Sequence, residues 1–414
     1  MDVFEKVKGY RCISCHREYG LKEIQYTCGH CSGNLQVVYN YQNIKKRLSP
    51  RDFTESIDNS IWRYIELLPI KENSKRPPVH IGWTPLYKAD SLGKKLGLKN
   101  LYIKDDGRNP SASSKDRAGA VVVVHAIEQG LNVITCASTG NAASSLACLT
   151  APMDLRTVLF VPATAPRAKI AQLLVFGAVV ITIEGTYDQA YDLCLKGSDE
   201  YGWYNRNTGY NPYTREGKKT VSYEICEQLG WKSPDKVFVP VGDGNLISGV
   251  WKGFVDLYEI GFIQRKPRLI ACQAEKSDAI KRAFESDGVI RPVSGRTIAD
   301  SISVSLPRDG DAAVMAIRGS KGFALSVSDS KILEAIPELA AETGVFAEPA
   351  GATSYTALKK AIARNLVEED ERVVLLVTGS GLKDIESAMK STRKPFRIQP
   401  DIEELKGILA EGIL

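Results

Sequence analysis

The amino-acid sequence predicts an α/β protein in which two parallel-sheet domains follow a small zinc-ribbon-like segment. Two observations lead to this fold class: short apolar runs alternate with helical patterns, and two Cys-x2-Cys pairs occur in the first forty residues. Continuous apolar strands separated by helices are typical of parallel sheets that are covered on both faces. The chain has 414 residues, of which 43% are hydrophobic, and this length suits about two or three domains.

The strands are predicted from apolar runs bounded by turn residues, and helical patterns such as AKIAQLLVFGA lie between most of them. The stretch from Asn40 to about Ser74 is polar and helical in pattern, and a Pro-rich link follows at 75–80. Seven strands are predicted, at 101–105, 132–138, 157–163, 178–185, 236–242, 268–275 and 372–379.

These elements group into four predicted parts. A zinc-ribbon-like segment spans residues 1–40, and a C-terminal helical extension spans 397–414. The body between them comprises a large cofactor-binding domain, 41–117 with 206–396, and a small mobile α/β domain, 118–205, inserted into it.

Charge and hydropathy argue against several classes of function. The net charge is +5 and no long run of like charges occurs, so neither a nucleic-acid nor a membrane partner is expected. The sequence contains no run of about 20 apolar residues and no apolar leader, which predicts a cytoplasmic protein.

The cysteine-rich segment carries a metal-binding spacing. Cys12 and Cys15 form one pair, Cys28 and Cys31 form a second, and twelve residues separate the pairs. Two tight turns that each present two thiolates complete a tetrahedron, so the spacing predicts a closed structural zinc site. The alternative is four unrelated cysteines.

Three strand-to-helix junctions carry the residues suited to chemistry, because open α/β sheets bind ligands there. In 103–119 a polar loop enters a helix near Lys115. At such a position we expect burial and the positive helix end to lower the pKa of the amine, which favours imine formation. In 136–147 a Ser-Thr-Gly-Asn turn opens a helix suited to a carboxylate. In 239–249 a Gly-rich loop suits a phosphate. The alternatives are a solvated lysine, a simple N-cap and an ordinary turn.

Taken together, seven ordered motifs resemble the threonine synthase family of pyridoxal-phosphate enzymes, and the resemblance covers nearly the whole chain. The motifs are GWTPL (82–86), NPSASSKDRA (109–118), ASTGN (137–141), EGKKT (216–220), VGDGNL (241–246), FAEPAGA (346–352) and VTGSGLKD (377–384).

The resemblance implies a role for each matched residue. Lys115 matches the lysine that holds the cofactor as a Schiff base and shuttles protons, Asn141 the asparagine at the ring hydroxyl, and Thr378 the hydroxyl at the pyridine nitrogen. The phosphate-cradling loop matches Gly242, Asp243, Gly244, Asn245 and Leu246. The loop that grips the substrate carboxylate matches Ser138, Thr139 and Gly140.

The implied reaction converts O-phospho-L-homoserine and water to L-threonine and phosphate in a homodimeric lyase. The usual substrate-phosphate contacts are replaced here by Ala142, Thr208, Gly209 and Thr214. We therefore expect Arg108, Arg206 and Arg215 to supply these contacts, with Arg108 and Arg215 as substrate-binding residues, unless they are ordinary surface arginines.

Two alternatives stay open. One is a pyridoxal-phosphate β-eliminating lyase or β-replacement enzyme that acts on serine, threonine or a related amino acid. The other is a non-catalytic zinc-ribbon binding protein.

Overall fold

The computed structural model describes residues 3–22, 26–138, 140–163, 165, 167–185 and 187–410. Its strands are β1 Val7–Cys12, β2 Glu18–Tyr19, β3 Leu35–Tyr39, β4 Leu86–Lys88, β5 Asn100–Asp105, β6 Val133–Ala137, β7 Arg156–Pro162, β8 Val179–Ile183, β9 Tyr204–Asn205, β10 Lys236–Pro240, β11 Arg268–Ala274, β12 Phe323–Val327 and β13 Arg372–Val377.

The helices alternate with most of these strands. They are α1 Val3–Lys6, α2 Tyr41–Lys45, α3 Pro50–Thr54, α4 Asp90–Leu96, α5 Lys115–Glu128, α6 Asn141–Thr150, α7 Arg167–Val175, α8 Tyr187–Tyr201, α9 Tyr213–Lys218, α10 Thr220–Gln228, α11 Asn245–Glu259, α12 Ala279–Phe284, α13 Gly310–Gly319, α14 Asp329–Thr343, α15 Pro349–Ile362, α16 Ile385–Ser391 and α17 Ile402–Ala410.

Two of the sheets confirm the predicted fold class. The larger has the order β12-β11-β10-β13-β5-β4, in which only the edge strand β4 is antiparallel. The smaller has the order β8-β7-β6-β9 and is parallel throughout. All four strands of the smaller sheet fall within residues 118–205, while the division into domains stays a prediction.

The N-terminal segment forms a separate antiparallel sheet of order β2-β1-β3. The seven predicted strands are present. The three strands of the N-terminal segment and the body strands β4, β9 and β12 were not predicted. The stretch after Asn40 is less helical than predicted, because it holds only the short helices α2 and α3 and a 3₁₀ segment, Ile61–Leu67.

Helix α5 lies inside the protein. Its residues 116–124 are all buried, and helices that are apolar on every side are typical of such a position. Small Ala and Gly residues permit close approach: a Cβ on Gly217 of α9 would lie 1.9 Å from the carbonyl oxygen of Arg117. Among the described residues, no helix is long and apolar enough to cross a membrane.

Candidate active site

A cavity of about 390 Å³ lies where β6, β10 and β13 end and where α5, α6 and α11 begin. This is the edge at which open α/β sheets bind their ligands. The three junctions singled out in the sequence therefore meet at one place.

Lys115 reaches this cavity from the first turn of α5. The loop before it is fixed against the end of β13, because the Ser114 amide donates to the carbonyl of Thr378 (2.8 Å) and the Ser380 amide donates to the carbonyl of Ala112 (3.0 Å). The same loop places Thr378 on the cavity wall.

A buried charge network holds α5 in position. The guanidinium of Arg117 donates to both carboxylate oxygens of Asp106 (2.7 and 2.9 Å) and to both of Glu224 (2.5 and 2.8 Å). Glu224 also accepts the backbone amides of Trp83 (2.7 Å) and Thr84 (3.2 Å). The GWTPL and KDR motifs are therefore parts of one scaffold beneath Lys115.

Glu224 is held ionised by this network. Burial by itself would raise the pKa of its carboxyl, but Arg117 and Lys104 outweigh burial and lower the pKa to about 2. The ammonium of Lys104 lies 2.7 Å from Glu224 Oε2. A buried carboxylate is tolerated where cations and hydrogen bonds surround it.

The amine of Lys115 is partly accessible from the cavity but lies deep in the protein. Burial lowers its pKa, and so does the positive charge of Arg206, while Glu348 and Asp243 act in the opposite direction. A lowered amine pKa increases the neutral, nucleophilic form that condenses with an aldehyde.

The Gly-rich loop packs tightly at the start of α11. Gly244 has φ +92°, and a Cβ there would lie 2.6 Å from the carbonyl oxygen of Asp309. A Cβ on Gly242 would lie 2.8 Å from the Cα of Ile302. Gly242, Asp243, Gly244, Asn245 and Leu246 all line the cavity, so the N-terminus of a 15-residue helix is available to a phosphate there.

Asn141 lies opposite this loop as the first residue of α6. Its amide nitrogen donates to Ser301 Oγ (2.9 Å) and to the carboxylate of Glu348 (2.9 and 3.2 Å). Burial raises the pKa of Glu348, against the lowering effects of Asn141 and Lys383. Glu348 belongs to the FAEPAGA motif and was not predicted as a site residue.

Two of the three residues predicted to bind the substrate carboxylate lie among the described residues. Ser138 and Gly140 line the cavity, and Ser138 Oγ accepts the amide of Gly140 (3.2 Å) just before α6. Thr139 lies outside the described residues.

Two of the predicted substrate-binding residues, Arg108 and Arg215, are not among the described residues that line the cavity. Arg108 is exposed. Arg215 is buried; its Nη2 donates to both carboxylate oxygens of Asp309 (2.7 Å each), and its Nη1 donates to the carbonyl of Leu35 (3.1 Å). Its guanidinium therefore joins α9 to the segment before α13.

Four other basic side chains line the cavity: Arg206, Lys218, Arg296 and Arg308. With Lys115 they make five basic residues against three carboxylates among the described lining residues. Lys218 donates to Asn245 Oδ1 (2.6 Å), and burial, Lys115 and Arg206 together hold its pKa well below the usual value. Such an excess of positive charge favours the binding of anions.

Sequence reasoning missed the segment 294–308, which forms one wall of the cavity. It connects α12 to α13, and no motif of the sequence falls on it, so nothing in the sequence indicated its position. Asp300 of this segment forms an ion pair with Lys169 of α7, which belongs to the helices around the smaller sheet.

The four cysteines of the N-terminal segment lie together. Their sulfur atoms are all within 4.8 Å of one another, with Cys12 and Cys31 3.5 Å apart and Cys15 and Cys28 3.6 Å apart. A tetrahedral zinc with Zn–S bonds of about 2.3 Å needs sulfurs about 3.8 Å apart. The cluster therefore has dimensions that fit such a metal.

The fold and the site together define a pyridoxal-phosphate-dependent enzyme. The family model described as pyridoxal-phosphate dependent enzyme matches residues 78–379. The buried Lys115, the glycine-lined cradle and the hydroxyl of Thr378 fit that cofactor.

Comparison with known proteins gives a finer assignment. The chain is 39% identical to the threonine synthase of Methanocaldococcus jannaschii over 97% of this chain and 99% of that protein. It is 38% identical to the threonine synthase of Methanosarcina acetivorans over 96% of this chain and 97% of that protein. The chain therefore belongs to the threonine synthase family.

Solved structures support the same fold. Threonine deaminase isoform 2 of Solanum lycopersicum aligns with a TM-score of 0.64 at 23% identity, over 75% of this chain and 87% of that one. Maize serine racemase aligns with a TM-score of 0.61 at 21% identity, over 80% of this chain and 93% of that one.

Proposed function

We propose that this enzyme converts O-phospho-L-homoserine and water to L-threonine and phosphate, with pyridoxal phosphate held on Lys115. The observation that carries this proposal is the cavity itself, which combines a buried amine and a phosphate cradle with further basic side chains. The named relatives, which match along almost their entire length, support the same reaction.

Lys115 is the proposed proton carrier. When bound, pyridoxal phosphate withdraws electrons from the α-carbon of the substrate. The Nζ of Lys115, released once the substrate amine takes its place, accepts the α-proton and then moves protons at the β-carbon. Its lowered pKa suits this exchange, because an acid–base group works best when its pKa lies near the working pH.

The α-carboxylate of the substrate is proposed to bind at the start of α6, with Ser138, Thr139 and Gly140. Asn141 is proposed to face the ring hydroxyl of the cofactor. Because its amide already donates to Glu348, we expect the two residues to act as one unit that orients the ring.

For the substrate phosphate we propose Arg206 and Lys218, with Arg296 and Arg308 at the cavity wall, in place of Arg108 and Arg215. Arg206 and Lys218 are nearly fully buried, and charge-assisted hydrogen bonds to a phosphate are stronger in such surroundings.

The experiment has two stages. Pyridoxal phosphate is added to the purified protein, and its visible absorbance band is recorded before and after O-phospho-L-homoserine is supplied. A change in the band, with equal release of threonine and phosphate, is expected. Lys115→Ala should lose the band and turnover, whereas Arg108→Ala, an exposed control, should retain both.

Three outcomes contradict the proposal. If the absorbance band is unchanged by phosphohomoserine but shifts with serine or threonine, the protein is instead a β-eliminating or β-replacement enzyme. The replacements at Ala142, Thr208, Gly209 and Thr214 favour that alternative. Normal turnover by Lys115→Ala removes the assigned role of the lysine. No band at any cofactor concentration favours a non-catalytic binding protein.

The N-terminal cysteines are proposed to hold one structural zinc. Besides the sulfur separations, backbone amides point to two of the sulfurs: Cys15 N to Cys12 Sγ (3.5 Å) and His30 N to Cys28 Sγ (3.4 Å). Elemental analysis should find one zinc per chain, and replacement of Cys12 and Cys15 by Ser should abolish it.

We also propose that residues 118–205 form a small domain that closes over bound substrate. The ion pair between Lys169 and Asp300 supports this, because it links α7 to the wall segment 294–308. Closure would exclude water from the reacting atoms.

The enzyme is further proposed to be a cytoplasmic homodimer. The exposed apolar side chains of Leu382, Ile385, Met389 and Ile402 suit a subunit interface. All nine cysteines lie among the described residues and none of them forms a disulfide, as is usual in a reducing compartment. Light scattering of the purified enzyme would measure its mass.

A further inference from the structure

We propose that Asn34 is a positioning residue that couples the four-cysteine segment to the cofactor cradle, so that order in this segment is needed for tight cofactor binding. This rests on the proposed cradle at residues 242–246. The coupling passes through Asp309, a buried carboxylate near the cavity wall.

Asn34 is built into the cysteine turns. Its carbonyl accepts the amide of Ile13 (2.9 Å), and the neighbouring Gly33 carbonyl accepts the amide of Cys28 (2.9 Å). A Cβ on Gly33 would lie 3.0 Å from Cys12 Sγ. The position of the Asn34 side chain therefore depends on how the sulfurs are arranged.

The amide of Asn34 reaches across to the catalytic body. Its Nδ2 donates to the carbonyl of Arg308 (2.7 Å) and to Asp309 Oδ1 (2.9 Å). A single side chain thus fixes two consecutive residues, of which Arg308 lines the cavity.

Asp309 passes this restraint on to the cradle. Its Oδ2 accepts from Asn245 Nδ2 (2.8 Å) and from Ser248 Oγ (3.1 Å), both on α11. Its amide donates to the carbonyl of Asp243 (2.9 Å). The loop that cradles the phosphate is therefore bound on two sides to the residue that Asn34 holds.

The remaining contacts of Asp309 keep it from rotating away. Arg215 holds both carboxylate oxygens at 2.7 Å, so the carboxylate is an anchored junction between the segment and the cradle. Loss of the Asn34 side-chain amide would leave Asp309 bound to Arg215 but would remove its hydrogen bond to the four-cysteine segment.

The test measures the dissociation constant of pyridoxal phosphate by its absorbance, in protein with and without prior treatment with a zinc chelator. Asn34→Ala should weaken cofactor binding about tenfold, the effect of losing hydrogen bonds to a charged group. Asn34→Asp keeps the shape but not the donors, and should weaken binding at least as much. Ser14→Ala, which removes only a long surface contact with Asp311 (3.5 Å), is the matched control and should bind normally.

Chelation should weaken cofactor binding in the wild-type protein and have little further effect in Asn34→Ala, since coupled changes are not additive. Equal effects of chelation in both proteins, or wild-type affinity in both Asn34 variants, would overturn the proposal. Circular dichroism of each variant distinguishes a local effect from unfolding. If Asn34→Ala does not fold, the cofactor affinity of Asn34→Asp tests the proposal. Because cofactor affinity needs no amino-acid substrate, failure of the proposed phosphohomoserine reaction would leave this result unaffected.

Discussion

Replacement of Gly244 by Ala tests whether the cradle depends on close backbone packing. Gly244 has φ +92°, and the added Cβ would lie 2.6 Å from the carbonyl oxygen of Asp309 and 2.9 Å from the Cβ of Ala313. Gly230 is the matched control, because it also has a positive φ (+67°) but no atom within 4 Å of an added Cβ. Both variants place an alanine at a positive φ, but only Gly244→Ala also brings its Cβ too close to neighbouring atoms.

The magnitude follows from these two contributions. A non-glycine residue in the left-handed region costs about 1–2 kcal/mol, and overpacking costs typically about 1–3 kcal/mol. Gly230→Ala should therefore lower the free energy of unfolding by about 1–2 kcal/mol, and Gly244→Ala by about 2–5 kcal/mol. If the loop moves to relieve the collision, the cradle moves with it, and cofactor binding should weaken about 10- to 100-fold.

Urea denaturation measures the first quantity and cofactor titration the second. Gly230→Ala should bind pyridoxal phosphate like the wild type. If the two variants lose equal stability and bind the cofactor equally well, the cradle does not depend on close packing at Gly244. The loop would then tolerate a side chain where the structure leaves no room.

Periodicity and turn chemistry were sufficient to predict most of the catalytic body. The buried parallel strands carry apolar runs that no surface strand would carry, so β5, β10 and β13 were each found from their sequences. The edge strand β4 has only three residues, too few for a pattern. Strand β12, FALSV, follows a loop and has a serine within it, and its short apolar run was not recognised.

The substrate side of the cavity was harder to predict for a different reason. Which arginine reaches a cavity depends on tertiary packing and not on its neighbours in sequence. Arg215 directly precedes the EGKKT motif yet forms an ion pair with Asp309, whereas Arg296 and Arg308 lie in a segment without a motif and line the cavity. Only the three-dimensional arrangement separates these cases.

Three further predictions follow from strain, charge and closure. Ala112 has φ +60°, so Ala112→Gly should raise the free energy of unfolding by about 0.5–1 kcal/mol in urea denaturation. The pKa of Glu224 is lowered from 4.5 to about 2, so its stabilising contribution is complete above pH 4.5 and is lost as the pH falls towards 2. Glu224→Gln, compared by acid titration of stability, should lose this part of the pH dependence. Lys169→Ala breaks the ion pair with Asp300 and should raise the KM for phosphohomoserine about two- to fivefold, with unchanged cofactor affinity.

The charge in the cavity connects the cofactor to the choice of substrate. Burial of Lys218 beside Arg206 and Lys115 is unfavourable in itself, as the lowered pKa of Lys218 reflects. A cofactor phosphate at the start of α11 would offset part of this positive charge, while Arg296 and Arg308 lie in the cavity-lining segment between α12 and α13. A substrate that carries its own phosphate would place a second anion near these basic side chains, whereas a substrate with an uncharged side chain, such as serine, would not. Because binding energy is gained where desolvated charges find partners, this cavity favours a phosphorylated amino acid over an unphosphorylated one.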